Sequence, residues 1–162
     1  MPRVLIVDDH AFVRRGVQNI VDSFPDWELC GEASNGGDGV RMIEELRPDV
    51  VLMDVSMPGM DGIEATRAVR KGNSRIKIIL ITLHESVELL RSGFRAGANG
   101  YLLKADAEEE LINALRIVIG DGCYISPKFD PQVVAQVLKE IQPASAKQPI
   151  GQISHRNDAE GP

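Results

Sequence analysis

The chain has 162 residues, 43% of them hydrophobic and 26% charged, with a formal net charge of −6. That composition suits a soluble globular domain with an appendage, and the acidic balance excludes a self-sufficient nucleic-acid binder, which needs a basic face. Cys30 and Cys123 lack the paired spacing of a disulfide framework or a zinc site and read as small apolar fillers in a reducing cytoplasm.

In chain order, the first apolar run is Val4-Leu5-Ile6-Val7, ending in Asp8-Asp9. Nothing here resembles the long apolar core of a signal peptide, and no stretch approaches the roughly 18 apolar residues of a membrane span. A cytoplasmic location with no membrane partner is expected. Val13, Val17, Ile20, Val21 and Phe24 then recur at helical spacing, until Pro25 stops the helix. Glu28 to Ala33 is a weaker second strand. Gly36-Gly37-Asp38-Gly39 leads into a helix carrying Val40, Ile43 and Leu46, ended by Pro48. Its glycines make the first turn soft.

The third run, Val50 to Met53, ends in Asp54; the turn Ser56-Met57-Pro58-Gly59 precedes a helix from about Gly62 to Lys71. The fourth run is Ile76 to Ile81 with Thr82 at its end, followed by a helix over Val87 to Ala96. The fifth is Gly100 to Leu103, closed by Lys104, and Leu111, Ile112, Leu115, Val118 and Ile119 mark one more helix. Continuous apolar strands separated by helices predict a parallel sheet buried on both faces. Five such units in about 120 residues predict an open doubly wound α/β fold, since a closed eightfold barrel needs roughly twice that length.

Beyond Gly122 the pattern changes. Asp130-Pro131 is a helix start, with Asp as N-cap and Pro at the first helical position, and Val134, Val137, Leu138 and Ile141 share one face. The predicted organisation is a main domain over 1–122, a linker over 123–143 with a helix near 130–142, and a disordered or linker tail over 144–162.

Ligands of open α/β sheets sit at the carboxyl ends of the strands. Here those ends carry Asp8-Asp9, Asp54, Thr82 and Lys104. Crowded carboxylates repel unless a hard cation lies between them, and oxygen ligands with water suit Mg²⁺. A remaining oxygen of Asp54 is then a nucleophile for phosphorus, with the Lys104 ammonium, the Thr82 hydroxyl and backbone N–H groups neutralising the equatorial oxygens.

The set Asp8-Asp9, Asp54 with Met57-Pro58 and Asp61-Gly62, Thr82, and Tyr101 ahead of Lys104 resembles the response-regulator receiver family over about residues 3 to 122. The phrases from Val55 to Gly62 and from Gly100 to Ala105 resemble its NarL/FixJ subgroup in particular. The resemblance implies a flavodoxin-like strand order 2-1-3-4-5. It implies that Asp54 accepts a phosphoryl group from a histidine kinase, and that Asp9, Asp54 and the Ser56 backbone carbonyl bind Mg²⁺, with Asp8 acting largely through water. It further implies a switch. The Thr82 hydroxyl turns toward the phosphoryl group, Tyr101 rotates into the vacated space, and the face made by helix four, strand five and helix five changes shape.

A receiver catalyses only its own phosphoryl transfer and dephosphorylation, so no other enzymatic activity is expected. Two positions depart from the common pattern. Leu83 stands after the switch hydroxyl, where many receivers carry a small residue. Ala105 stands where many carry proline after the lysine, so no cis-proline is expected.

Among rival readings, an acid-phosphatase-type hydrolase would want a second carboxylate close after its nucleophile, and two positions beyond Asp54 stands Ser56. His10 and His84 border the proposed site but read as solvated helix-start residues. Trp27 reads as edge packing. Relatives in the subgroup carry a LuxR-type helix-turn-helix output domain. The residues after Gln142 are too few for one and contain no basic recognition helix. DNA binding and transcriptional regulation are therefore expected of a longer parent protein, through the missing output domain. A phosphorylation-dependent homodimer is the further partner that the resemblance implies.

Overall fold

The computed structural model describes residues 1–72 and 74–141. Strands β1 (Arg3–Val7), β2 (Glu28–Ala33), β3 (Val50–Asp54), β4 (Lys77–Thr82) and β5 (Gly100–Leu103) alternate with helices α1 (Ala11–Asp22), α2 (Gly36–Leu46), α3 (Gly62–Lys71), α4 (Val87–Ala96) and α5 (Ala107–Ile119). A short strand β6 (Tyr124–Ile125) and helix α6 (Pro131–Ile141) follow. The sheet order is β2-β1-β3-β4-β5-β6, and every pairing is parallel. The predicted order 2-1-3-4-5 is present, extended by one strand at the β5 edge.

The period-two alternation of each strand sorts its side chains onto two faces. Val4, Ile6, Val50, Leu52, Ile79, Ile81 and Leu102 pack with the apolar stripes of α1 and α5. Leu5, Val7, Val51, Met53, Ile78, Leu80 and Tyr101 pack with α2, α3, α4 and α6. The central strands are buried on both sides, which is why they read as unbroken apolar runs. Removing most of a buried side chain such as Leu80 costs about 2–5 kcal/mol. Trp27 belongs to the α1/α5 core and is nearly fully buried. Both cysteines are free and pack against the other core; burial pushes the Cys123 thiol up to about 12, so it stays protonated at neutral pH.

The helix starts have local causes. Asn35 caps α2 by accepting from the Asp38 N–H, and Asp61 and Glu64 form a reciprocal capping box at α3. Ser86 caps α4. The glycines predicted to soften α2 lie inside it. Gly39 is seated on Val7, where a Cβ would press to 2.9 Å from a Val7 methyl, so the missing side chain lets the helix approach β1 closely.

The segment after α5 is packed rather than free. β6 aligns Tyr124 with Gly100 and Ile125 with Tyr101. The Ser126 N–H donates to the Tyr101 carbonyl at 2.9 Å, and its hydroxyl accepts the Leu103 N–H at 2.8 Å. A two-residue strand is too short for periodicity to reveal. Helix α6 begins as expected, with Asp130 accepting the Gln132 N–H at 2.8 Å, and it packs on α4. The predicted end of this helix at 142 and the predicted tail over 144–162 lie outside the described residues.

Ser126 is fully buried and satisfies a β5 backbone donor. Ser126→Ala therefore leaves the Leu103 N–H unpaired and should lower unfolding stability by about 1–3 kcal/mol. Urea denaturation with an unchanged slope would register this; an unaltered midpoint would show that β6 does not hold the sheet edge.

Candidate functional site

The carboxyl ends of β1, β3, β4 and β5 lie on one edge of the sheet, because all four strands run parallel and in register. Asp8 follows β1, Asp54 ends β3, Thr82 ends β4 and Lys104 follows β5. Asp8 and Asp54 are buried, Lys104 nearly so. The Lys104 Nζ lies 2.9 Å from Asp8 Oδ2 and 3.3 Å from Asp54 Oδ1, bridging the two carboxylates. The Ser56 N–H donates to Asp54 Oδ1 at 3.3 Å.

The second oxygen of Asp54, Oδ2, is buried and has no hydrogen-bond partner among the described residues. A buried unpaired carboxylate oxygen is costly, so this atom is poised for a ligand. Asp8, Asp9, His10 and Asp54 each place one ligand atom within 4.8 Å of the others. Such a set of carboxylate oxygens fits a hard divalent cation. His10 enters this cluster although the sequence gives it no such place: its Nδ1 lies 3.2 Å from Asp8 Oδ1 and 3.1 Å from Asp9 Oδ1. Its ring is largely exposed, and the His10 backbone N–H also donates to Asp8 Oδ1, at 2.8 Å.

Electrostatics follow from the crowding. Burial, and then the neighbouring Asp8 charge, push the Asp54 carboxyl up to about 6, against the opposing pull of Lys104 and the Ser56 N–H. Thr82 is buried at the strand end, and its hydroxyl accepts the His84 N–H at 3.1 Å. The Tyr101 side chain is completely buried, and its hydroxyl reaches toward the His84 carbonyl at 3.4 Å. Burial pushes that phenol up to about 12. Leu83 turns outward and is 72% exposed; with Phe12, 84% exposed, it lines an apolar groove between α1 and α5 that also contains Lys104. Lys104–Asp106 forms a short 3₁₀ turn, and no cis peptide occurs among the described residues.

Two supporting residues, Arg14 and Phe129, escape the sequence pattern, and a third, Gly62, belongs to it. Arg14 donates from Nη1 to the Asp8 carbonyl at 2.7 Å and from Nε to Glu32 at 2.8 Å, tying α1 and β2 to the site. Gly62 lies so close to the Asp54 carbonyl that any Cβ there would collide with it. Phe129, beyond β6, meets the Tyr101 ring edge-on with centroids 5.6 Å apart. Arg14 and Phe129 carry no signal in one sequence, because their partners lie on other elements.

The profile of the response regulator receiver domain family matches residues 4–116. The chain belongs to the response-regulator receiver family. This receiver is 38% identical over 156 residues to response regulator UvrY of Escherichia coli, covering 96% of this chain and 70% of that protein. It is likewise 38% identical over 156 residues to response regulator GacA of Pseudomonas aeruginosa, covering 72% of that protein. Its structure superposes on a LuxR-family two-component response regulator from Aurantimonas sp. SI85-9A1 with a TM-score of 0.77, at 31% identity, covering 86% of this chain and 97% of that one. Receivers accept phosphoryl groups in two-component signalling and pass the state to an output; they are regulators. No helix among the described residues is long and apolar enough to cross a membrane.

The raised pKa of Asp54 has a thermodynamic consequence. The folded receiver holds the Asp54 proton more tightly than the unfolded chain does, so this group's contribution to stability falls as pH rises from about 4 to about 6. Above that window the penalty is complete, on the order of 1–3 kcal/mol. Asp54→Asn removes it. In chelator, the variant should be more stable than wild type at pH 7.5 and match it near pH 4, as read by paired urea titrations. A variant less stable at both pH values would contradict this assignment.

Proposed function

We propose that this receiver is a phosphorylation switch whose acceptor is Asp54, with the buried, unpartnered Asp54 Oδ2 as the observation that carries the reading. In this scheme Asp54 Oδ2 attacks the phosphorus of a phosphohistidine on a histidine kinase. The P–N bond breaks as the P–O bond forms, and the imidazole leaves with a proton from solvent. Lys104, already within 3.3 Å of Asp54, moves from pairing carboxylates to pairing the phosphoryl oxygens. Asp8, Asp9, Asp54 and the Ser56 backbone carbonyl would hold Mg²⁺, which when bound neutralises the clustered carboxylates and the phosphoryl charge.

Thr82 is the switch hydroxyl. Its hydroxyl accepts the His84 N–H of the β4–α4 loop and interacts with the Tyr101 phenol, and in the switch it turns from these toward a phosphoryl oxygen. Tyr101, whose phenol meets the Thr82 side chain, is the aromatic partner of that movement. The apolar groove carrying Phe12 and Leu83 beside Lys104 suits the kinase as a docking partner, since exposed apolar residues clustered at a charged site mark interaction surfaces. Beyond its own phosphorylation and dephosphorylation the protein has no enzymatic role in this reading. It acts in the cytoplasm with residues 1–122 as the signalling unit and 123–143 as the connection to an output, transcriptional in a longer parent that binds DNA. A phosphorylated homodimer belongs to the same reading.

Incubation with acetyl phosphate and Mg²⁺ tests this by intact mass. The expected result is a gain of one phosphoryl group, with acetate released, abolished in Asp54→Asn and by chelator. Lys104→Ala should lower the labelling rate by about 10²–10³-fold, the usual loss when one charge-stabilising donor is removed. Labelling that persists in Asp54→Asn would move the acceptor elsewhere.

A further inference from the structure

The turn between β1 and α1 gathers three consecutive side chains around one point. Asp8 and Asp9 follow the strand, and the His10 backbone N–H donates to Asp8 Oδ1 at 2.8 Å, folding the chain back over its own carboxylate. The imidazole follows that fold. Its Nδ1 lies 3.2 Å from Asp8 Oδ1 and 3.1 Å from Asp9 Oδ1. With one oxygen of Asp54 from β3, these ligand atoms all fall within 4.8 Å of one another. The donor set is three carboxylates and one imidazole nitrogen.

The Nδ1 contacts are poor as hydrogen bonds. A charge-assisted N–H···O bond closes to about 2.7–2.9 Å, and here one nitrogen is shared between two more distant oxygens. Asp9 Oδ1 is buried and accepts no hydrogen bond among the described residues, although Nδ1 stands beside it. Asp54 Oδ2 is likewise buried and unpartnered, on a side chain only 2% exposed. The spacing is instead that of ligands around a single cation. On an octahedral ion with bonds of about 2.1 Å, neighbouring ligands lie about 3.0 Å apart and opposite ones about 4.2 Å. The Nδ1 separations match the first value, and the span of the whole set is close to the second.

The rest of the pocket leaves Nδ1 available for this. Lys104 engages Asp8 through Oδ2 and Asp54 through Oδ1, so Asp8 Oδ1 belongs to the His10 side of the cluster. The His10 side chain is 61% exposed, which gives a hydrated ion an entry path past the ring.

We propose that His10 is itself a ligand of the cation that this site takes, through Nδ1, and that it turns an oxygen site into a mixed nitrogen–oxygen site favouring a first-row transition ion such as Co²⁺ over Mg²⁺. The inference rests on the reading of Asp8, Asp9 and Asp54 as a cation site, and adds to it one ligand and a selectivity. Its chemical basis is ligand type. Mg²⁺ is a hard ion held through oxygen, whereas imidazole suits the ions from Fe²⁺ to Zn²⁺. The carboxylates serve both classes, so the imidazole is the donor that separates them.

Two measurements on the full chain test this at pH 8. The first is X-ray absorption at the cobalt edge of protein loaded with one equivalent of Co²⁺. Wild type should show the outer-shell scattering of one imidazole, and His10→Ala should lose it. A wild-type spectrum without imidazole overturns the proposal with no variant needed, as does imidazole scattering that persists in His10→Ala.

The second is titration calorimetry of Co²⁺ and of Mg²⁺ against both proteins, where the decisive quantity is the ratio of the two affinities. His10→Ala should weaken Co²⁺ binding by about 10-fold or more, at least the loss seen when an outer partner of a metal ligand is removed. Mg²⁺ binding should change by less than about twofold, since that ion gains little from nitrogen. If both affinities fall together, His10 only orients Asp8 and Asp9, and the proposal fails. An unchanged ratio with neither affinity altered overturns it equally and leaves the carboxylate site standing. Wild type that binds neither ion overturns the cation site as well.

Discussion

Two buried carboxylates share one lysine at the end of a parallel sheet. Burial and the neighbouring Asp8 charge both oppose ionisation of Asp54, and the Lys104 Nζ between the two carboxylates is what makes the arrangement tolerable. The compensation is incomplete, because Asp54 Oδ2 remains without a partner. A buried, unpartnered carboxylate oxygen beside a cluster of three carboxylates with one lysine fits a hard divalent cation.

That pocket demands a rigid support. Parallel strands buried on both faces place the ends of β1, β3 and β4 in register, and the capping box at Asp61 and the missing side chain at Gly62 let α3 begin directly against the Asp54 backbone. The Arg14 guanidinium pins the Asp8 carbonyl from α1. The other side of Thr82 is held differently. The β4–α4 loop is tied through His84 to Thr82 and Tyr101, and α6 meets α4 through apolar side chains and the Glu140–Arg91 pair.

The parallel sheet, its strand order by family resemblance and the residues at its strand ends were all legible in the chain. Strands buried on both faces leave continuous apolar runs, and the short polar positions that end them are confined to one edge by the parallel topology. Helices α3 and α4 were readable to their ends, because Asp61-Gly62 and Ser86 carry local capping chemistry. Asp8, Asp54, Thr82 and Lys104 could be placed together for the same reason: each position follows from where its own strand ends.

What the tertiary structure alone decided is the fate of everything beyond α5 and the company each site residue keeps. The sequence marks Val134, Val137 and Leu138 as one face of a helix, but no periodicity names the surface that buries it. That surface is α4, with Glu140 meeting Arg91 and Phe129 meeting Tyr101 across 49 and 28 positions of chain respectively. His10 reads as a solvated helix start until the fold brings Asp8 and Asp9 around its ring nitrogen. Periodicity and capping are properties of neighbours along the chain, whereas partnership between faces depends on how the chain closes on itself. The chain therefore declared its sheet and its charges, and packing alone chose which helix would cover α4 and Tyr101.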